Sequence, residues 1–204
     1  VNSKVCFNSN VAASVPTRKF IKLKMKEFEN HYFIGQVVNE LRSIYLGAPY
    51  EYKIEYNFRN VTDKIYQDGR LRFFCNVPKW MEFLNDSDLT FGSRLHGNIA
   101  AVLAGTPALL VTKDSRTREL AEYHHLNAIH ESKLNEKLTL QDLVEQQDFT
   151  QIEKYQKQNL DRYVAFLKKN DIPNIFMDGE DPQETAFDRK IKQTDLLEGI
   201  VPVS

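Results

Sequence analysis

The stretch Asp88-Leu89-Thr90-Phe91-Gly92-Ser93-Arg94-Leu95-His96-Gly97-Asn98-Ile99-Ala100-Ala101-Val102-Leu103-Ala104-Gly105-Thr106-Pro107 decides how this chain folds. Leu89-Thr90-Phe91 has strand character, Gly92-Ser93 makes a turn, and Leu95 to Ala104 forms a small-residue, apolar helix. Gly105-Thr106-Pro107 stops that helix. An arginine and a histidine thus stand at a helix start, where free backbone N–H groups and the helix dipole favour an anion. The chemistry points to a ligand bearing phosphate or carboxylate.

Reading outward, Ala108 to Val111 is a buried strand, and Asp114 or Ser115 caps a helix through His124. Ala128-Ile129-His130 is a short final strand. Upstream, Leu71 to Cys75 is a strand, and Val77 to Leu84 a short helix with Pro78 in its first turn. Val5-Cys6-Phe7 and His31 to Gly35 are strands, and Val38 to Leu46 has helical spacing up to Gly47-Ala48-Pro49. Phe20 to Met25 alternates apolar and basic residues, which predicts another strand after the break at Pro16. Tyr52 to Phe58 reads as a strand or as a surface excursion. Strands alternating with helices predict a parallel α/β layer. Thr139 to Gln147 and Thr150 to Lys169 continue as helices. The expected organisation is one domain over 1–170 and an extended tail over 171–204 with at most one short helix.

With 204 residues, 42% of them hydrophobic, the chain can bury a core without disulfides. Its net charge of −1 gives no general basis for nucleic-acid binding. Cys6 and Cys75 lie in apolar runs and are expected as buried thiols. No run approaches the roughly 18 apolar residues of a membrane helix. The chain opens on a strand without a signal-like segment, so a cytoplasmic setting is expected.

In an open α/β sheet, ligands bind beyond the carboxyl ends of the strands. Two loops there carry chemistry. In the first, Ser93 can cap the helix and bind an anion, and Arg94 can fork onto a carboxylate or phosphate. His96 can donate a hydrogen bond or proton, and Gly92 and Gly97 allow close backbone approach. In the second, Lys113, Arg116 and Arg118 could together extend one cationic pocket. Arg118 is expected as a solvated first-turn residue and Glu119 as a partner for an arginine. The plainer alternative, a capped helix with a surface arginine and a packed histidine, stays open. Adjacent His124 and His125 do not share a helix face, so no metal site is expected. Trp80 is expected in the core. Asp86 and Asp88 are expected as turn and capping residues.

Taken together, Trp80-Met81-Glu82-Phe83-Leu84, Ser87-Asp88, Ser93-Arg94-Leu95-His96-Gly97, Gly105-Thr106-Pro107 and Asp114-Ser115-Arg116 resemble the C-terminal half of the polysaccharide pyruvyl transferase family. The resemblance covers about residues 73–126. It implies a Rossmann-like parallel sheet with flanking helices, similar to the C-terminal domain of a GT-B glycosyltransferase. A further N-terminal domain, expected to hold acceptor contacts and a carboxylate base, is not seen in this sequence.

The implied reaction moves the pyruvate group of phosphoenolpyruvate onto two hydroxyls of a cell-surface polysaccharide sugar, forming a ketal. The family's Arg-x-His pair matches Arg94 and His96, which the resemblance assigns to the donor site. Ser93, Gly97, Lys113, Ser115 and Arg116 are candidate substrate contacts. Phosphoenolpyruvate is a substrate, and no metal or organic cofactor is implied. The acceptor is a saccharide, with a lipid-linked form among the options, and the enzyme is expected in the cytoplasm or against the inner membrane face. Two rival readings share this architecture: a GT-B nucleotide-sugar glycosyltransferase, and a carbohydrate-binding module without chemistry.

Overall fold

The computed structural model describes residues 2–49, 58, 60–177 and 181–203. Six parallel strands form one sheet: β1 (Val5–Asn8), β2 (His31–Gly35), β3 (Leu71–Phe73), β4 (Leu89–Gly92), β5 (Ala108–Thr112) and β6 (Ala128–His130). Their spatial order is β3-β2-β1-β4-β5-β6. The chain therefore winds outward one way from β1, crosses back, and winds outward the other way from β4. Between β1 and β4 successive connections diverge, and this opens a crevice at the strands' carboxyl ends.

Helices cover both faces, so the strands are apolar throughout rather than alternating with polar residues. Val5, Phe7, Phe33, Phe91, Leu109 and Val111 point to one face. There they meet Phe20, Ile21 and Met25 of α1 (Val15–Met25) and Ile44 of α2 (Val38–Leu46). Ile65 and Tyr66 of α3 (Lys64–Gln67), with Leu140 and Leu143 of α7 (Leu140–Glu145), complete that core. Cys6, Ile34, Ala108 and Leu110 point to the other face. They meet Leu84 of α4 (Val77–Asn85), the alanines of α5 (Leu95–Leu103) and Ala121 of α6 (Ser115–Tyr123). Phe7, Phe33 and Phe91 are fully buried, each contributing about 1.5–3 kcal/mol.

The elements read between residues 71 and 130 form as expected, although β3 ends at Phe73 rather than Cys75. Residues 20–25 do not form a strand. They complete α1, because Ser14 accepts from Thr17 N–H as N-cap and Pro16 sits in the first turn. Burial there follows the helical period: Phe20, Ile21, Lys24 and Met25 are buried, while Leu23 is exposed. Cys75 is exposed rather than buried; Cys6 is buried and shares a hydrogen bond with Ser87. The strand read at 52–58 lies outside the described residues except for Phe58.

The helix read from Thr150 is α8 (Gln151–Lys169), which leaves Leu160, Tyr163 and Phe166 exposed. The tail carries one helix, α9 (Ala186–Lys192), and then docks on the sheet edge. Phe73 and Ile200 exchange both backbone hydrogen bonds. Lys79 Nζ lies 2.6 Å from Glu198. Among the described residues no helix is long and apolar enough to cross a membrane.

Candidate functional site

Asn8 ends β1 and Gly92 ends β4, side by side in register. A β-carbon on Gly92 would lie 2.0 Å from the Asn8 carbonyl oxygen, so this register requires glycine. Two buried amides then hold the motif that follows. Asn8 Oδ1 accepts from Arg94 N–H at 2.8 Å. Asn98 Nδ2 donates to the carbonyls of Arg94 at 3.0 Å and Gly92 at 3.2 Å. The backbone of Arg94, which caps α5, is thereby gripped at both its N–H and its C=O.

The Arg94 guanidinium lies across the end of β1. Its Nε donates to the Ser9 carbonyl at 3.4 Å, while Nη2 is buried without a hydrogen-bond partner. An unpartnered guanidinium nitrogen at a helix start marks a place for an oxyanion. Gly97 brings the first turn of α5 against Gln36, whose Nε2 would sit 2.6 Å from a β-carbon there. That Nε2 is also buried without a partner. His96 stands exposed on the same turn and makes no hydrogen bond with the described residues.

Beside this corner lies Glu40, fully buried on α2. Its Oε2 accepts from the N–H groups of Gln36 and Val37, while Oε1 is unpartnered. Burial pushes its carboxyl above the usual range; the Gln36 N–H, the Arg94 charge and the Val37 N–H offset part of that rise.

On the other side of Ser93 is a narrow cleft of about 40 Å³ lined by residues including Thr17, Ser93, Lys113, Asp114, Thr117 and Glu131. Ser93 Oγ accepts from Asn10 N–H at 2.9 Å. Lys113 Nζ donates to the Ala12 carbonyl at 3.1 Å. Asp114 caps α6 through Thr117. Glu131 reaches from just beyond β6 to the start of α1, where its Oε2 accepts from the Ser14 and Thr17 hydroxyls, each at 2.7 Å. Burial pushes the Glu131 carboxyl up, but these two hydroxyls, Lys113 and His130 outweigh it and hold the carboxyl below its usual range.

Ser93, Arg94 and Gly97 thus converge at the switch point, and Lys113 reaches the same edge across the cleft. Ser115 and Arg116 stand exposed on the first turn of α6, outside the cleft lining. Arg118 is exposed and lies 3.8 Å from Glu122. His125 stacks on Tyr155 at 3.8 Å between ring centroids. Trp80 packs among the residues around Leu84, stacked with Phe74. The residues missed from sequence are Asn8, Gln36, Glu40, Asn98 and Glu131. Asn8-Ser9-Asn10, a polar triplet closing an apolar strand, was a legible signal for the first.

The start of α1, where this strand order places a dinucleotide's pyrophosphate, is differently built. No glycine lies between Ser9 and Ser14, and the Glu131 carboxylate already occupies the hydroxyls there. A candidate anion site in the crevice therefore falls at the start of α5 rather than of α1.

No curated protein matches the chain. Among solved structures, one titled "Crystal Structure Analysis of the Glycotransferase of kitacinnamycin" matches with a TM-score of 0.42 and 12% identity over 75% of this chain. The chain spans 37% of the length of that structure. Residues 16–115, from the first turn of α1 to the start of α6, match the family model for polysaccharide pyruvyl transferase, and this match places that stretch of the chain in the family.

Proposed function

We propose that this chain carries the donor site of a transferase that moves the pyruvate group of phosphoenolpyruvate onto a saccharide as a ketal. The observation that carries this reading is Arg94, whose backbone Asn8 and Asn98 hold at the switch point while its guanidinium Nη2 is left unpartnered at the start of α5. Phosphoenolpyruvate bears a phosphate and a carboxylate, and a guanidinium fork suits either. In the reaction, two sugar hydroxyls add to the central carbon and the enol C–O bond to phosphate breaks. One hydroxyl proton ends on the methylene carbon, making it methyl, and the other leaves with phosphate.

Arg94 clamps the donor anion. His96, exposed on the same turn, delivers the proton or hydrogen-bonds the departing phosphate. Lys113 is a secondary donor contact, and Arg116 adds positive charge from α6. The donor and acceptor chemistry calls for no metal or organic cofactor, and use of phosphoenolpyruvate goes with a cytoplasmic location. The filled corner at α1 weighs against the nucleotide-sugar reading.

The test is a thermal shift of wild type and Arg94→Ala with phosphoenolpyruvate, a UDP-sugar and inorganic phosphate. At a hundredfold excess over Kd a ligand stabilises by about 2.7 kcal/mol, which raises Tm by roughly 5–10 °C in a chain of this size. Phosphoenolpyruvate should produce that shift in wild type and not in Arg94→Ala. Stabilisation by the UDP-sugar alone would overturn the reading.

A further inference from the structure

The loop between β1 and α1 gathers cations through its carbonyl groups. Every carbonyl oxygen from Ser9 to Ser14 accepts a hydrogen bond. Asn10 C=O takes the Ala13 N–H and Ser14 C=O takes the Arg18 N–H, as a turn and a helix start require. The other carbonyls go to charged side chains from three places in the fold. Arg94 Nε donates to Ser9 C=O at 3.4 Å, and Lys113 Nζ to Ala12 C=O at 3.1 Å. Arg18 Nη1 donates to Val11 C=O at 3.1 Å and to Ala13 C=O at 2.7 Å. Arg94 and Lys113 are therefore tied to one loop, and a third cation lies beneath it.

Arg18 stands one turn into α1 and is 3% exposed, so no ligand reaches it. Its Nε is buried without a partner. A guanidinium this deep is tolerated only where the surroundings supply acceptors, and here the loop supplies them. Val11 and Ala13 flank Ala12, so Arg18 grips the loop on both sides of the carbonyl that holds Lys113. Long cationic side chains lose rotamer freedom when they bind an anion, and holding them beforehand lowers that cost. One carbonyl on each leaves donors to spare, since an ammonium has three protons and a guanidinium five. Arg94 Nη2 is still unpartnered.

We propose that Arg18 is a positioning residue of the anion site: from beneath the β1–α1 loop it sets the carbonyls of Ser9 and Ala12, which in turn aim Arg94 and Lys113. The proposal rests on the donor reading above, in which Arg94 and Lys113 meet the anion. Arg18 touches no substrate and acts only through the loop. Without it, Val11 and Ala13 lose their donors, the loop relaxes, and both cations must be ordered by the ligand itself.

The experiment is an NMR titration of the whole chain with inorganic phosphate, reading backbone amides and arginine Nε–H groups in wild type, Arg18→Met and Arg18→Lys. In wild type the Arg94 Nε–H should be protected from exchange, and phosphate should shift the amides of Arg94 to Gly97. Arg18→Met should speed exchange at the Arg94 Nε–H and weaken phosphate about tenfold, the worth of one hydrogen bond. Leu109 and Leu110 in the adjacent strand should keep their protection relative to global stability. Arg18→Lys keeps a cation beneath the loop but not the planar fork, so it should fall between the other two in both readouts.

Unchanged Arg94 Nε–H exchange in Arg18→Met overturns the proposal, as does unchanged phosphate affinity. So does a uniform loss of protection with no added effect at Arg94, which is what a packing role alone would give. Where Arg18→Met fails to fold, Arg18→Lys decides, and behaviour identical to wild type overturns the proposal. Phosphate failing to shift Arg94 to Gly97 in wild type counts against the donor reading alone; the Nε–H exchange then still tells whether Arg18 holds Arg94.

Discussion

Asn8→Ala tests the central structural claim, that a buried amide at the end of β1 fixes the arginine at the start of α5. Asn8 is 2% exposed, and its Oδ1 receives the Arg94 N–H at 2.8 Å. Truncation removes the acceptor and strands a half-buried donor, costing about 1–3 kcal/mol, to which the void left by the amide adds. A total of about 2–3 kcal/mol is a large share of the 5–15 kcal/mol typical of a folded domain. With a urea m-value of about 2–3 kcal/mol/M, the unfolding midpoint should fall by about 1 M at unchanged slope.

Hydrogen exchange localises the effect. The Arg94 amide should exchange faster in Asn8→Ala, while Leu109 and Leu110 in the adjacent strand keep their protection relative to global stability. A midpoint within about 0.2 M of wild type, a small fraction of the range expected from one lost hydrogen bond, would refute the reasoning. Unchanged protection at Arg94 would do the same.

Two further outcomes follow from the titratable groups. Burial first of all raises the Glu40 carboxyl above its ordinary value of 4.5. The native chain therefore holds a proton that the unfolded chain releases, so Glu40's contribution is full below the unfolded value and is lost as pH rises through the folded one. Glu40→Gln keeps an oxygen for the Gln36 and Val37 amides but cannot ionise. Urea midpoints from about pH 4 to 8 should shift steadily in the variant's favour as pH rises, and a constant gap would contradict the assignment. The two cysteines should separate by reactivity: burial pushes the Cys6 thiol up to about 11, against the opposing Ser87, Lys4 and Arg72, while Cys75 is exposed. A thiol reagent at neutral pH should label Cys75 in the native chain and Cys6 only on unfolding; rapid native labelling of both would show that the β1 core opens.

The motif from Asp88 to Pro107 was legible because its signals are local. An apolar run, a Gly-Ser turn, small helix residues and a Gly-Thr-Pro stop each act within a few residues, and the structure realises them as β4 and α5. Residues 20–25 misled for an equally definite reason. Phe20-Ile21-Lys22-Leu23-Lys24-Met25 can be read with a period of two, but tertiary packing buries Lys24 against Glu27 and leaves Leu23 outside. The pattern in the residues is ambiguous, and the capping by Ser14 with Pro16 settles it as a helix.

By itself the sequence determined the alternation of strands and helices, the place of Arg94 at the start of a helix, and the match of residues 16–115 to a family model. Only the tertiary structure decided which side chains share the site. Asn8 meets Arg94 across 86 positions of sequence, and Glu131 meets Ser14 across 117. Such pairings depend on strand order, because β1 lies beside β4 only once the chain has wound out through β3 and crossed back. Local periodicity carries no information about that crossing; the burial of both sheet faces beneath separate sets of helices does.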